Sequence, residues 1–311
     1  MADAERHTHI GGQAVLEGIM MRGKYNWAIA VRCPDGTLYI EEHDLVSAAT
    51  TRPWLRLPIV RGIWGFYETL VLAMRAFSIS AEHAGASEGE DGEHVTLSAT
   101  EIAVTLVIGI ALAIGVFVIL PAVLTNLLGD AVKKSTYAWN VIDGVLRLVV
   151  FFAYIWVISR LKDIQRVFAY HGAEHKTIHA YEHGEPLDPE HVQKYGTLHV
   201  RCGTAFLLMV MVIAIVVFSL VPAHTLLTRI LSRLVLAPLI AGIAYEVTVK
   251  WAGSRPNDPF VKAVLWPGMQ LQRMTTRPPE DEMIEVAVAA MLPVIAREEA
   301  EDARAAAAEP V

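Results

Sequence analysis

The chain has 311 residues, 54% of them hydrophobic, a mean hydropathy of +0.40 and a formal net charge of −7. That apolar content exceeds what a water-soluble protein of this size carries, and the negative balance argues against nucleic-acid binding by bulk electrostatics. Its two cysteines, Cys33 and Cys202, lie too far apart to suggest a disulfide framework, which suits a reducing compartment.

In chain order, "GGQAVLEGIMMRG" (residues 11–23) comes first, with glycines at 11, 12, 18 and 23. They read as tight turns or close backbone approaches, not as a phosphate cradle, because Lys24 is followed by Tyr25 where a P-loop needs Ser or Thr. "NWAIAVRCPDGTLYIEEH", Asn26 to His43, places two strand-like runs around Pro34-Asp35-Gly36 and predicts a β-hairpin. Arg61 to Arg75 carries an apolar helical stripe too short for a span, which predicts a helix at the membrane surface or packed on a bundle. "SAEHAGASEGEDGE" from Ser80 reads as a flexible acidic linker.

Four apolar stretches follow. Ile102 to Gly129 and Gly203 to Ala223 are free of charge, and each is long enough to cross a bilayer core. Trp139 to Ser159 carries Asp143 and Arg147, and Leu231 to Trp251 carries Glu246 and Lys250. In both, the i,i+4 spacing predicts a local ion pair that lowers the cost of charge in lipid. Basic residues concentrate between the second and third stretches and after the fourth, so the positive-inside rule places those segments in the cytoplasm. No cleavable signal is expected ahead of the first span. Beyond the fourth span, Pro267-Gly268 predicts a turn, residues 280–295 a helix, and the alanine-rich tail fraying.

The expected fold is therefore an α-helical integral membrane protein of about four transmembrane helices. A cytoplasmic α+β portion, including the N-terminal β-hairpin, completes it. The expected location is multi-pass in the inner, cytoplasmic membrane, with both termini cytoplasmic. Residues 1–98 form the N-terminal cytoplasmic region and 99–160 the first two spans. Residues 161–202 form a cytoplasmic His-rich helix and loop, 203–252 the last two spans, and 253–311 a C-terminal cytoplasmic segment. The lipid bilayer is the expected partner and nucleic acid is not; no protein partner is named, and self-association is left open.

"FAYHGAEHKTIHAYEHGEP" (residues 168–186) repeats histidine every fourth position, at 171, 175, 179 and 183. Its polar continuation from the second span, stopped by Gly184 and Pro186, predicts a helix over roughly 161–183. Histidines four apart advance by about 40°, so neighbouring pairs share a face and all four cannot meet at one ion. Two overlapping metal sets result. His171, Glu174 and His175 form H-x-x-E-H, in which two imidazoles hold zinc and the glutamate activates water. His175, His179 and Glu182 form a second stripe of two nitrogens and one oxygen. His199 and Cys202 in "HVRCGT", and Glu17, are candidates to complete the shell. A thiolate among imidazoles favours zinc as the divalent metal, while imidazole and carboxylate alone leave iron or manganese open. A solvated, titrating His/Glu helix is the competing reading.

"GGQAVLEGIMMRG", "YHGAEHKTIHAYEHGEPL", "HVRCGT" and "PGMQLQRMTTRPPEDEMIEVAVAA" together resemble the YqhQ-like family of bacterial multi-span membrane proteins. The likeness runs from Ile10 to about Leu292, departing at Val200, where the family pattern favours proline. It implies an inner-membrane protein of a domain of unknown function labelled a predicted metal-dependent enzyme. The motif positions it marks are His171, Glu174, His175, His179 and Glu182, with Glu17, His199, Arg201 and Cys202 flanking. The sharpest expectation is a metal-dependent hydrolase at the cytoplasmic membrane face. In it Glu174 is the general base, Arg201 steadies an anion, and His171, His175, His179, Glu182, His199 and Cys202 supply the metal ligands. The alternative is a non-catalytic scaffold or transport component whose His-rich helix binds metal or a partner.

Overall fold

The computed structural model describes residues 8–84, 99–129, 135–200, 202–221, 225–252, 255 and 258–308. Four strands, β1 (Gly11–Val15), β2 (Gly18–Arg22), β3 (Asn26–Arg32) and β4 (Leu38–Asp44), form an antiparallel sheet in sequence order. The hairpin predicted around Pro34-Asp35-Gly36 is the β3–β4 pair, with Arg32 opposite Leu38 and Gly36 at φ 84°. "GGQAVLEGIMMRG", read as tight turns or close backbone approaches, forms a second hairpin with Val15 opposite Gly18, in which a methyl at Gly12 or Gly18 would sit 2.8 Å from Met20 O or 2.6 Å from Ala30 O. Its pattern is disguised because the middle strands are covered on both faces. Ile19, Met21, Ala28 and Ala30 face one core, and Met20, Trp27, Ile29 and Val31 face another. Two buried faces erase the apolar-polar alternation by which a strand is recognised.

The helices clasp this sheet. α1 (Val60–Ala84) covers one face with Leu72 and Ala76, so the predicted helix of residues 61–75 is 25 residues long. It also takes in Ser80, where a linker was expected, and the Ser80 hydroxyl donates to the Leu16 carbonyl at 2.6 Å. Residues 81–84 of that acidic stretch also belong to α1, and the rest lies outside the described residues. On the other face lie α4 (Lys162–Glu182) and α9 (Asp281–Ala308), through Tyr170, Ala173, Ile284, Ala287, Ala290 and Met291. α9 starts where expected but runs on through most of the tail predicted to fray. α5 (Pro189–Val192) is a single turn capped by Asp188.

The apolar helices pack on one another through clusters of their own. α2 begins as Ala99–Ile114, widens to a π segment at Gly115–Ile119 and closes as Leu120–Leu127. α3 is Thr136–Ile158, α6 Gly203–Ser219, and α7 Leu226–Tyr245 extended by a π segment at Glu246–Ala252. Among the described residues, three stretches are long and apolar enough to cross a membrane, Val107–Leu127, Tyr137–Ile158 and Leu227–Ala252, whereas Gly203–Ser219 is apolar at 17 residues. The Asp143–Arg147 pair is present at 3.2 Å, but Asp143 also accepts from Arg233 of α7 at 2.9 Å. Glu246 pairs across elements, not with Lys250: Arg61 Nε donates to it at 2.7 Å and Ile59 N at 3.1 Å, docking α1 onto α7. α8 (Pro259–Thr275) passes straight through Pro267-Gly268, so the predicted turn is absent. Gly268 is where α8 lies against Ala205 of α6; a methyl there would sit 2.7 Å from the Ala205 Cβ.

Candidate metal centre

The histidine helix is α4, within a residue of its predicted bounds at each end, and it stops at Gly184, φ 70°. A break over residues 159–161 separates it from α3, so it is a distinct element and not a prolongation of the span. Two extended segments are laid along α4. Residues 276–277 leave α8 and cross it at Gly172, where any side chain would run into the Arg277 carbonyl oxygen. Arg277 N donates to the Phe168 carbonyl there at 2.9 Å. Residues 197–200 form the second segment, joined to the first by the Thr276 hydroxyl donating to Thr197 Oγ1 at 3.2 Å. Gln272, fully buried on α8, grips His199 at both backbone groups: its Oε1 accepts from His199 N and its Nε2 donates to His199 O, each at 2.8 Å.

These segments divide the expected ligands into two sets. His171, His175 and Cys202 each offer a donor atom within 4.8 Å of the others, and so do His179, Glu182 and His199. His171 Nε2 lies 3.2 Å from Cys202 Sγ, and His199 Nε2 lies 3.4 Å from Glu182 Oε2. Two donors on one tetrahedral zinc stand roughly 3.3–3.8 Å apart, so small side-chain rotations would close either set on an ion. The sets abut: ring centroids are 4.4 Å apart for His171 and His175, 5.6 Å for His175 and His199, and 4.6 Å for His179 and His199. Of the two sequence triads, neither is kept whole. His175 joins His171, and His179 with Glu182 turns to His199; His183 stands outside both sets, its Nδ1 donating to the His179 carbonyl at 2.8 Å.

Backbone carbonyls fix which nitrogens face inward. His171 Nδ1 donates to Thr275 O at 2.8 Å, His175 Nδ1 to Thr197 O at 2.5 Å, and His179 Nε2 to Leu198 O at 2.9 Å. A carbonyl only accepts, so each of these nitrogens carries the proton and the opposite nitrogen keeps a lone pair. This is the outer-shell arrangement that orients metal-binding imidazoles. Burial pushes the pKa of His175 and of His179 down, favouring the neutral, ligand-competent ring. The donor chemistry therefore fits zinc at the thiol-bearing set and a broader range of divalent ions at the carboxylate set.

The remaining candidates separate. Glu174 turns to the sheet, where its Oε1 accepts from Gly12 N at 3.0 Å, and burial raises its pKa to about 6. Glu17 sits at the β1–β2 turn with φ 48°, bound by both Arg166 Nε and Nη2 and by the Tyr170 hydroxyl at 3.2 Å, so it belongs to neither set. Arg201 lies outside the described residues. Gln272, Gly172 and the carbonyls of residues 197, 198 and 275 were missed by the sequence reading. The motif "PGMQLQRMTTRPPEDEMIEVAVAA" contained Gln272 and Thr275, and "YHGAEHKTIHAYEHGEPL" contained Gly172, but nothing in a motif says which backbone atom will accept.

These elements define a mostly helical protein with three helices fit to span a membrane, an N-terminal four-stranded sheet, and two adjoining triads able to hold metal. The chain belongs to the family described as "Protein of unknown function (DUF1385)", whose model matches residues 57–297. It is 32% identical over 289 residues to "Uncharacterized protein YqhQ" of Bacillus subtilis (strain 168), a match covering 89% of each chain. No solved structure matches it.

Proposed function

We propose that the chain is a metal-dependent hydrolase of the inner membrane, with its centre at the cytoplasmic face. The observation that carries this is the trio of histidines whose outer N–H groups are tied to Thr275, Thr197 and Leu198 carbonyls while their inner nitrogens converge with Cys202 and Glu182. Three-ligand sets leave a coordination position for substrate, as catalytic zinc sites do. In this reading His171, His175 and Cys202 hold zinc, and His179, Glu182 and His199 hold a second divalent ion. The metal would supply Lewis acidity. Glu174, one turn from His171 and with its pKa raised by burial to about 6, carries the proton once its carboxyl swings from Gly12 N towards the metal, and Arg201, next to Cys202 in the chain, steadies developing negative charge.

Packing supports the membrane arrangement. α4 rests on the same sheet as α9, so an even number of crossings separates them in the chain, and among the described residues between them α6 and α7 are the apolar helices that could supply it. At about 1.5 Å per residue the 17 residues of α6 reach about 26 Å, nearly the thickness of a bilayer core. Four spans then place both termini on one side.

Metal analysis of the purified full-length protein tests the reading. Wild type should carry stoichiometric zinc, His175→Ala should lose it, and Glu174→Gln should keep it while losing turnover of ester or peptide substrates. Folded wild type with no stoichiometric metal would sink the proposal. The burial of His175 and Cys202, 1% and 8% exposed, favours a second reading, a structural metal that pins α4 to the start of α6. In that case wild type binds metal, chelation lowers its Tm, and neither wild type nor Glu174→Gln turns over substrate.

A further inference from the structure

At the end of α3, on the same side of the apolar helices as the histidines, a cavity of about 490 Å³ opens. Trp156, Ser159, Arg160, Arg273, Thr276 and Arg277 line it; its lining holds three guanidinium groups and no carboxylate. Arg160 is held by its Nη1 donating to Trp156 O at 2.8 Å and by its Cζ lying 3.3 Å from the Trp156 ring centroid. Arg277 Nη2 donates to Ser159 O at 2.9 Å. Arg273 makes no hydrogen bond or ion pair with a described residue, and its side chain is exposed. A guanidinium has five N–H donors, so most of this donor capacity is unspent. Three like charges converging without a counter-charge repel one another unless an anion joins them.

The stripe leading to the cavity is apolar. Val149, Phe152 and Trp156 follow one another at helical spacing along α3, all exposed, and Arg160 continues the same line. Trp156 stands near the end of the apolar stretch Tyr137–Ile158, the depth at which aromatic residues mark the membrane interface. An apolar track ending in a fork of arginines matches a molecule with an acyl chain and an anionic head. Arginine forks suit the phosphate oxygens of such a head, and basic pockets at cytoplasmic helix ends take anionic lipids. We infer that this cavity binds the phosphate-bearing headgroup of an anionic membrane lipid, with its acyl chains lying along Val149, Phe152 and Trp156. The assignment does not rest on a metal being bound.

Native mass spectrometry of the detergent-purified full chain, mixed with dioleoylphosphatidylglycerol or dioleoylphosphatidylcholine, tests it. Wild type should retain the anionic lipid about tenfold more than the zwitterionic one: both carry a phosphate, but the choline of the second sets a positive charge against the three guanidinium groups. Arg273→Glu and Arg160→Ala should each reduce that preference several-fold, whereas Arg304→Glu, far out on α9, should leave it. Millimolar inorganic phosphate should not displace the lipid. Equal retention of the two lipids by wild type overturns the inference without recourse to any variant. So does an equal loss in Arg304→Glu, which would mean general charge attraction, or an unchanged preference in folded Arg273→Glu and Arg160→Ala. Displacement by inorganic phosphate alone would assign the cavity to a free anion instead of a lipid.

Discussion

Gln272 shows how much of the centre depends on a neutral side chain. By holding both backbone groups of His199, it fixes the loop that brings His199 and Cys202 to α4. Gln272→Leu preserves bulk but strands the buried His199 N–H and leaves its C=O with only the Cys202 N–H at 3.3 Å, a loss of about 1–3 kcal/mol for the one unsatisfied group. The expected result is a lower Tm together with loss of metal from the His179, Glu182 and His199 set; an unchanged metal content would show that the clamp is dispensable. Glu17 makes a pH-dependent contribution of definite sign. Its hydrogen bonds from Arg166 hold its pKa below the ordinary 4.5, so the unfolded chain takes up the proton more readily than the folded one. Stability from this pairing is complete above pH 4.5 and drains away as pH falls through the lowered folded value. Glu17→Gln should therefore lower Tm at pH 7 and leave it little changed in acid, flattening the acid side of the Tm–pH curve. At this scale the sequence showed the pairs and hid their partners. His171 and His175 could be paired because four residues is a local distance, whereas Thr275 O stands 104 residues from the ring it receives.

Elements were legible where one rule governed them. α4 and the β3–β4 hairpin came out near their observed bounds because glycine stops and a Pro-Asp-Gly turn act locally. The β1–β2 hairpin was hidden by burial on both faces, and the turn expected at Pro267-Gly268 failed because tertiary packing chose differently. Within a helix, proline removes one N–H, and here glycine serves the neighbouring helix by admitting Ala205 of α6. Gly172 has the corresponding role in α4, where the Arg277 carbonyl occupies the space of a side chain. Gly172→Ala should improve intrinsic helix propensity by about 1 kcal/mol and still destabilise the protein, since overpacking costs typically 1–3 kcal/mol and the Arg277 backbone must move. Moving it shifts the adjacent Thr275 carbonyl and the His171 ring it holds. A fall in Tm with weakened zinc retention is the expected pair of readings. A rise in Tm would show that the crossing has room to spare.

For the whole molecule, the sheet acts as a reference plane. β3 reaches α9 through Arg32, whose Nη2 donates to Glu285 Oε2 at 2.9 Å, and through Asn26, whose Nδ2 donates to Pro293 O at 3.1 Å. β1 reaches α4 through Gly12 and Glu174. Segments at the start, middle and end of the chain thus share one body. A chain that leaves this body and returns to it twice must cross any bilayer an even number of times on each excursion. The first excursion is α2 and α3; the second is α6 and α7. Hydropathy alone passes three stretches and would put the ends on opposite sides, which the shared body forbids. In the proposed topology the short α6 makes the fourth crossing, where length alone leaves it marginal, and Leu220 and Val221 extend its apolar run. In the topology proposed above, the basic residues near the body set the direction, and the positive-inside rule would place it in the cytoplasm. In a Cys33→Ser background, Thr37→Cys on the exposed β3–β4 turn and Tyr137→Cys at the far end of α3 report the two sides. An impermeant maleimide applied to cells with the outer barrier opened should label Tyr137→Cys and should reach Thr37→Cys only after the cytoplasmic membrane is breached. The reverse pattern would invert the orientation and move the histidine centre out of the cytoplasm. Labelling of residue 37 and of an α9 surface position such as Arg304→Cys from opposite sides would break the parity argument itself.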